Sequence, residues 1–367
     1  MAGFDNVCFS TMIYIVFIFL LCFIIAENSR KYNFALCYSI IFLSLIIIQV
    51  QYQHLFSDYD NYISFFNKVE PINEIIIGNK YNFDNPEISF EFGFKIFTSI
   101  TKFFQFDKEL YLIFINIIVI IAYSIFIKRN VKHFFFVLIS YYAIIYPSFQ
   151  LGILRQAIAS TLFIYSIHYI SDRKIIYSLI VLIASSFHLT ALILLFLPYF
   201  ASKEKFIKYF FYIFCFGELF YLLKIDIVSY VFNIITNSFS GPLSNSIKYY
   251  LLSNYENNYL GIGFWDRSIQ FILIFYIYLF LKKKEILNVT HIEYINISLF
   301  NILIQVYSFN YPIMTNRLRF YFCLFPFLLY ETYLNHTKYK TNRIIMIIFC
   351  ITYSFMMLNI STSYINN

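Results

Sequence analysis

The chain is dominated by apolar runs that are long enough, or nearly long enough, to cross a lipid bilayer, which takes about 20 apolar residues in a helix. Hydrophobic residues make up 60% of the 367 residues and charged residues only 13%. Soluble domains are roughly a quarter charged, so this composition argues against a water-soluble enzyme. The sequence therefore predicts an all-α, polytopic membrane protein in which residues 1–367 form one integral-membrane domain. The predicted runs are 10–26, 33–50, 109–127, 131–147, 153–170, 208–225, 265–281, 286–308, 320–335 and 343–360.

The positions of lysine and arginine predict which loops face the cytoplasm, because short loops rich in these residues are retained there. This rule places the N-terminus outside, with two long outer loops at 51–108 and 226–264. The same residues occur in twos and threes, and not as the clustered basic face that nucleic-acid binding needs. The basic inner links are Arg30–Lys31, Lys128–Arg129–Lys132, Arg173–Lys174, Lys282–Lys283–Lys284 and Lys338–Lys340–Arg343.

The segment between 175 and 202 has basic residues on both flanks, and both flanks are therefore expected in the cytoplasm. A single crossing cannot begin and end on the same side of the membrane. Two short helices, 175–188 and 189–202, solve this problem if they meet at the outer face near His188. Short or broken helices at membrane depth usually line a site. This hairpin brings the prediction to about 12 crossings. The alternative is one tilted helix of about 25 residues.

The first outer loop divides into an acidic part and an amphipathic part. Acidic residues continue as far as Glu91, whereas 90–106 places apolar residues at helical spacing and predicts a helix lying in the membrane interface. Asp58-Tyr-Asp60 is a D-x-D pattern of the kind that holds a metal in some lipid-dependent glycosyltransferases, although solvated loop carboxylates explain it equally well. The sequence contains no Walker loop, G-x-G-x-x-G or H-E-x-x-H pattern. We therefore predict no cofactor and no metal.

Four arginines fall at predicted outer helix ends, where membrane insertion does not require them: Arg155, Arg267, Arg317 and Arg319. They either snorkel to the headgroups or bind an anion. His188 lies at the tip of the predicted hairpin, either as a polar tip residue bonded to backbone or as a group that handles a proton. Guanidinium groups bind phosphate oxygens bidentately. The pattern therefore indicates a dianionic or pyrophosphate ligand at the outer leaflet. Glu218, deep in an apolar run, has no assigned role.

The order of these motifs resembles the EpsG-like family of bacterial exopolysaccharide and O-antigen polymerases (Wzy type). The resemblance covers about residues 50–325. Members often carry an arginine shortly before the first aspartate, where this chain has Gln51 to Phe56, and His54 is the candidate substitute. The matching segments are Asp58-Tyr-Asp-Asn-Tyr62, Glu91-Phe-Gly93, Arg155-Gln-Ala-Ile-Ala159, Ala184-Ser-Ser-Phe-His-Leu-Thr-Ala-Leu192 and Arg317-Leu-Arg-Phe-Tyr321.

The resemblance implies a membrane glycosyltransferase in the bacterial plasma (inner) membrane. It would transfer a growing glycan from undecaprenyl pyrophosphate to a lipid-linked acceptor unit at the outer face, for O-antigen, capsule or exopolysaccharide. Its partners would be undecaprenyl-pyrophosphate-linked oligosaccharides and the bilayer, with a chain-length regulator and a flippase as further candidates. The expected catalytic residues are His188, Arg155, Asp58 and Glu91, and the expected substrate-binding residues are Arg317, Arg319, Asp60, Tyr62, Tyr321 and Arg267.

Two alternatives stay open at this stage. An O-antigen ligase or a polyprenyl-phosphate-dependent glycosyltransferase would use similar outer arginines, and the latter would lose activity on chelation. A lipid-oligosaccharide flippase would predict internal repeats and several charges deep in the bundle. The sequence has no visible repeat, and only Glu218 is deep, so the flippase is the weaker alternative.

Overall fold

The computed structural model describes residues 2–29, 33–56, 58–77, 90–238 and 262–366, and this part of the chain contains helices and connections but no strand. The basic link Arg30–Lys31 and parts of both predicted outer loops, 78–89 and 239–261, lie outside the described residues. The all-α prediction is confirmed. Two compact units can be distinguished, one made of 1–169, 173–195 and 334–367, the other of 170–172 and 196–333. A single membrane domain stays a prediction.

The first half of the chain forms helices of uneven length, several of them too short to cross a bilayer. A π-helix, Tyr141–Gln150, continues the helix Phe134–Ser140, and a 3-10 helix, Leu189–Phe196, follows the helix Lys174–Phe187. The predicted loop 51–108 is not irregular, because α3, α4 and α5 lie within it. The helices are α1 (Ala2–Ser29), α2 (Phe34–Tyr52), α3 (Tyr59–Lys68), α4 (Ile72–Ile77), α5 (Phe92–Phe103), α6 (Lys108–Asn130), α7 (Phe134–Ser140), α8 (Leu154–Ser166) and α9 (Lys174–Phe187).

The second half is also helical. The predicted outer loop 226–264 begins with a helix, α12, because apolar residues recur there at helical spacing. The predicted span 320–335 starts later than expected, since a separate short helix, α15, precedes it. The helices are α10 (Leu197–Phe200), α11 (Lys205–Leu222), α12 (Ile227–Ser238), α13 (Ile262–Lys283), α14 (Val289–Tyr307), α15 (Pro312–Arg319), α16 (Phe325–His336) and α17 (Lys340–Asn366).

Within the residues that the structure describes, five helices are long and apolar enough to cross a membrane, and three shorter apolar helical segments accompany them. The protein is therefore a multi-pass membrane protein, as the composition predicts. The count of about 12 crossings stays a prediction. The five candidate spans are Cys8–Glu27, Phe34–Leu55, Lys108–Asn130, Ile262–Lys283 and Lys340–Thr362.

The segment after Arg173 is a helical hairpin with its break at His188. α9 ends at Phe187, and the Tyr177 hydroxyl donates a hydrogen bond to the Leu194 carbonyl oxygen at 2.7 Å. In one continuous α-helix these 17 steps would place the two residues about 25 Å apart along the axis. The alternative of one tilted helix is therefore wrong. The second arm differs from the prediction in being mostly a 3-10 helix, and the outer location of the tip stays a prediction.

The helix α5 exposes apolar side chains and buries polar ones, whereas an amphipathic helix of a soluble protein does the reverse. Its exposed side chains are the apolar Phe92, Ile100 and Phe103, whereas Lys95 and Thr98 are buried against the rest of the first unit. An apolar outward face is expected where lipid replaces water as the solvent. This arrangement fits the predicted interfacial helix, and it leaves Glu91, the residue just before α5, half-buried in the first unit.

Candidate functional site

Four helix ends converge in the first unit, and the sequence allows this because one of them carries glycine. α5 begins after Glu91, α8 begins at Leu154, α9 ends at Phe187 and the 3-10 helix begins at Leu189. A β-carbon on Gly93 would lie 2.9 Å from the carbonyl oxygen of Ser186 in α9. Only glycine permits backbones to approach this closely.

Arg155 and Glu91 form an ion pair at this convergence. Nη1 of Arg155 donates to Oε2 of Glu91, and the two side chains are 18% and 23% exposed. The second carboxylate oxygen, Oε1, accepts a hydrogen bond of 3.4 Å from the backbone N–H of Leu189. Glu91 therefore holds the first turn of α8 and the start of the 3-10 helix at once.

Aromatic side chains enclose the guanidinium of Arg155. Its Cζ lies 4.1 Å from the centroid of the Phe90 ring, a cation–π contact. Phe90 in turn packs on Tyr62, with ring centroids 5.6 Å apart. Phe90 directly precedes the Glu91-Phe-Gly93 motif, but no sequence pattern indicated that its ring would contact Arg155.

Tyr62 is buried in α3, and its hydroxyl lies beside Arg155. Burial raises the pKa of this hydroxyl above its ordinary value, while the positive charge of Arg155 acts in the opposite direction. Neither the Tyr62 hydroxyl nor Nε of Arg155 has an aligned hydrogen-bond partner among the residues that the structure describes. The Tyr62 oxygen interacts with the Arg155 guanidinium, while the Tyr62 hydroxyl proton and the Nε–H of Arg155 have no aligned acceptor within the described residues.

The two aspartates of the D-x-D pattern differ in their surroundings. Asp58 is half-buried at the start of α3, and its negative charge acts on Tyr62, whereas Asp60 is exposed. Within the described ranges, no group of three histidine, cysteine or carboxylate side chains is arranged to hold a metal ion.

His188 is buried at the tip of the hairpin, and its ring is oriented by Thr190. The Thr190 backbone N–H donates to Nδ1 of His188 at 3.3 Å, and the Thr190 hydroxyl lies 2.9 Å from the same nitrogen. Since Nδ1 accepts, the neutral imidazole carries its proton on Nε2. In this arrangement Nε2 is a hydrogen-bond donor and not a proton acceptor. Thr190 follows His188 in the sequence motif, but its effect on the tautomer could not be inferred from that.

In the second unit, Arg267 is engaged by Glu218 in a bidentate pair. Nε of Arg267 lies 2.7 Å from Oε1 and Nη2 lies 3.2 Å from Oε2, and the guanidinium stacks 4.0 Å from the centroid of the Tyr221 ring. Both side chains are largely buried. This geometry favours a structural role for Arg267, and it explains the isolated acid in an apolar run.

Arg317 and Arg319 lie in α15 of the second unit and are half-buried, while Tyr321 is buried just beyond the helix. Nη2 of Arg319 is 3.8 Å from Oδ2 of Asp266, a long ion pair. The other oxygen of Asp266 accepts a hydrogen bond of 2.7 Å from Gln270. The pair of Arg319 and Asp266 is therefore longer than the pair of Arg267 and Glu218.

Comparison with known protein families matches residues 34–367, nearly the whole chain, to the EpsG family. Comparisons with curated proteins and with solved structures return no match.

Proposed function

The chain belongs to the EpsG family, a family of polysaccharide polymerases, and from that premise we propose that it polymerises undecaprenyl-pyrophosphate-linked oligosaccharide repeat units. The growing glycan is the donor and a single lipid-linked unit is the acceptor. The reaction takes place at the outer face of the bacterial plasma membrane, in the manner of Wzy-type polymerases. The product is an O-antigen, capsule or exopolysaccharide chain.

In this reaction a hydroxyl oxygen of the acceptor sugar attacks the anomeric carbon of the donor glycan. A carbon–oxygen bond forms there as the bond from that carbon to the pyrophosphate oxygen breaks. The hydroxyl proton passes to a base, and undecaprenyl pyrophosphate leaves. Negative charge grows on the leaving pyrophosphate, so donors directed at it lower the barrier.

The observation that carries the proposal is the contact of the Arg155 guanidinium with the buried Tyr62 hydroxyl, because neither the Nε–H of Arg155 nor the O–H of Tyr62 has an aligned acceptor in the part of the chain that the structure describes. A phosphate oxygen between them would satisfy both, and charge-assisted hydrogen bonds of this kind are the stronger ones. The ion pair with Glu91 holds the guanidinium through Nη1 and leaves the side chain partly exposed.

The N-termini of two helices add positive potential at the proposed phosphate site. Arg155 lies in the first turn of α8, and Leu189 opens the 3-10 helix beside Glu91. Helix N-termini carry partial positive charge and favour anions. The pyrophosphate would therefore meet positive potential from backbone and side chain together.

The roles that we propose for His188 and Glu91 in proton transfer differ from those expected from the sequence alone. His188, with its proton on Nε2, donates a hydrogen bond to the pyrophosphate or to the attacking hydroxyl. Both oxygens of Glu91 are engaged, so Glu91 positions Arg155 and the hairpin. Asp58, half-buried beside Tyr62, is the proposed proton acceptor.

Purified protein in liposomes, supplied with a synthetic undecaprenyl-pyrophosphate repeat unit, tests this function. We expect a ladder of lipid-linked products together with released undecaprenyl pyrophosphate, and the same ladder in the presence of a chelator. Transfer only to an added lipid A core would indicate a ligase. Loss of the ladder on chelation would indicate a metal-dependent transferase.

A further inference from the structure

Four carboxamide side chains are fully buried in the first unit: Gln49, Asn116, Gln150 and Gln156. They lie on four different segments, namely α2, α6, the π-helix and α8. Uncharged polar side chains inside membrane helices are unfavourable unless they are paired, and they commonly mark a functional site. A π-helix within a bundle is a further feature that is frequent at functional sites.

Gln49 and Gln150 lie at the same level of the unit. Phe34 at the start of α2 packs on Phe134 at the start of α7, with ring centroids 5.1 Å apart, so the two segments run in parallel. Further along, the Tyr146 hydroxyl donates to the carbonyl oxygen of Leu45. Gln49 lies four residues after Leu45, and Gln150 lies four residues after Tyr146, so the two side chains are at the same level.

Asn116 and Gln156 belong to the same level. The side-chain amide of Gln150 donates to the backbone carbonyl oxygen of Asn116 at 3.3 Å. The Tyr123 hydroxyl donates to Oγ of Ser160 at 3.0 Å, and further along both segments the Phe126 ring lies 6.3 Å from that of His168, so α6 and α8 run in parallel. Asn116 lies seven residues before Tyr123. The equivalent position in the other segment, seven residues before Ser160, is 153, so Asn116 lies near the first turn of α8, which contains Gln156.

These four residues, hereafter the carboxamide layer, contain hydrogen-bonding groups that the protein does not satisfy. Both polar side-chain atoms of Asn116 and Oε1 of Gln49 have no partner within the described part of the chain. A carboxamide offers donors and an acceptor but no charge. The complementary ligand is therefore a neutral group that both donates and accepts, such as a sugar hydroxyl or acetamido group, and not a phosphate.

The level of the carboxamide layer is that of the first turn of α8, where Gln156 directly follows Arg155. We propose that the layer binds the sugar that is attached to the pyrophosphate of the lipid-linked substrate, an inference that rests on the proposed function. Arg155 and Tyr62 hold the charged part, and the layer recognises the neutral sugar next to it.

The test compares two ligands, undecaprenyl pyrophosphate alone and the same lipid carrying one repeat unit, by their affinities for the reconstituted protein. Asn116→Leu, which keeps the size but removes the polar atoms, should weaken binding of the sugar-bearing lipid about tenfold, an effect of about 1.4 kcal/mol. Its affinity for the sugar-free lipid should not change. Gln49→Met should act in the same direction and guards against a folding defect of the first variant.

The matched control is Ser124→Ala, which removes a buried side-chain hydroxyl from the same helix α6 about 12 Å further along its axis. It should leave both affinities unchanged. Equal weakening of both lipids by Asn116→Leu would overturn the proposal, and so would a lower melting temperature with both affinities intact, since the layer would then have a structural role only. Failure of the proposed function is separate, because the wild-type protein would then form no ladder.

Discussion

Glu91 and Arg155 are 64 positions apart in the chain, yet Nη1 of Arg155 donates directly to Oε2 of Glu91 in a partly buried ion pair of the first unit. The remaining oxygen of Glu91 accepts from Leu189, so this one carboxylate joins three segments. The resemblance to the family suggested that Glu91 is catalytic. Its contacts support a positioning role, in which it orients the arginine that we propose binds pyrophosphate.

Close packing at Gly93 is required to bring Glu91 to Arg155. Gly93→Ala should push α5 away from Ser186 and cost about 1–3 kcal/mol of stability, as overpacking typically does. Polymerisation should fall more than the amount of protein in the membrane, and both can be measured on the same membranes by product ladder and immunoblot. Gly263→Ala is the control, because nothing lies within 4 Å of its added β-carbon. Normal ladders from Gly93→Ala would show that this approach is not needed for activity.

Substitution of His188 separates a donor from a proton acceptor. With Nδ1 accepting from Thr190, we expect His188→Gln to retain most activity, because the amide nitrogen can replace the Nε2 donor. His188→Leu should lose it. Loss of a general base typically costs about 10²–10⁴-fold. A reduction of that size in the glutamine variant, at equal protein level, would contradict the donor role.

Tyr62 should act as a neutral donor at every physiological pH. Burial raises the pKa of its hydroxyl above the ordinary value, so the protonated form persists as pH rises. Tyr62→Phe should therefore weaken binding of undecaprenyl pyrophosphate roughly tenfold or more, the value of a hydrogen bond to a charged group. The ratio of wild-type to variant affinity should be the same at pH 6 and pH 9. A ratio that changes with pH would show that the hydroxyl titrates in this range.

The pair of Arg267 and Glu218 should affect stability and not substrate binding. Arg267→Ala leaves a buried carboxylate without its partner, which costs about 3–5 kcal/mol. The thermal midpoint in detergent should fall, and the double variant Arg267→Leu with Glu218→Leu should recover much of the loss. Affinity for undecaprenyl pyrophosphate should stay unchanged in the double variant. A normal midpoint with impaired binding would instead assign Arg267 to the substrate.

Local patterns in the sequence were enough to predict the helical class and the break at His188. Apolar runs determine where helices form, and the basic flanks of 175–202 require an even number of crossings, so each inference depends on neighbouring residues only. The 3-10 geometry of the second arm was not predicted, because no residue pattern distinguishes it from an α-helix at this length.

Long-range pairing could not be predicted in the same way. The sequence marked Arg155, Arg267 and Glu218 as unusual, but it contained no signal that Arg267 would pair with Glu218, 49 positions away, or Arg155 with Glu91. The buried carboxamide layer could not be predicted for the same reason. Its members stand alone in four apolar runs, and only packing brings them to one level.

The affinity of undecaprenyl pyrophosphate for the reconstituted protein, measured with wild type, Arg155→Lys and Arg155→Ala, tests the central claim most directly. Lysine keeps the charge but cannot fork across two oxygens, so the lysine variant should bind weakly and form few polymerised products, and the alanine variant should neither bind the lipid nor form a ladder. All three should be present at equal membrane levels. Wild-type affinity and a full ladder from Arg155→Ala would contradict the account.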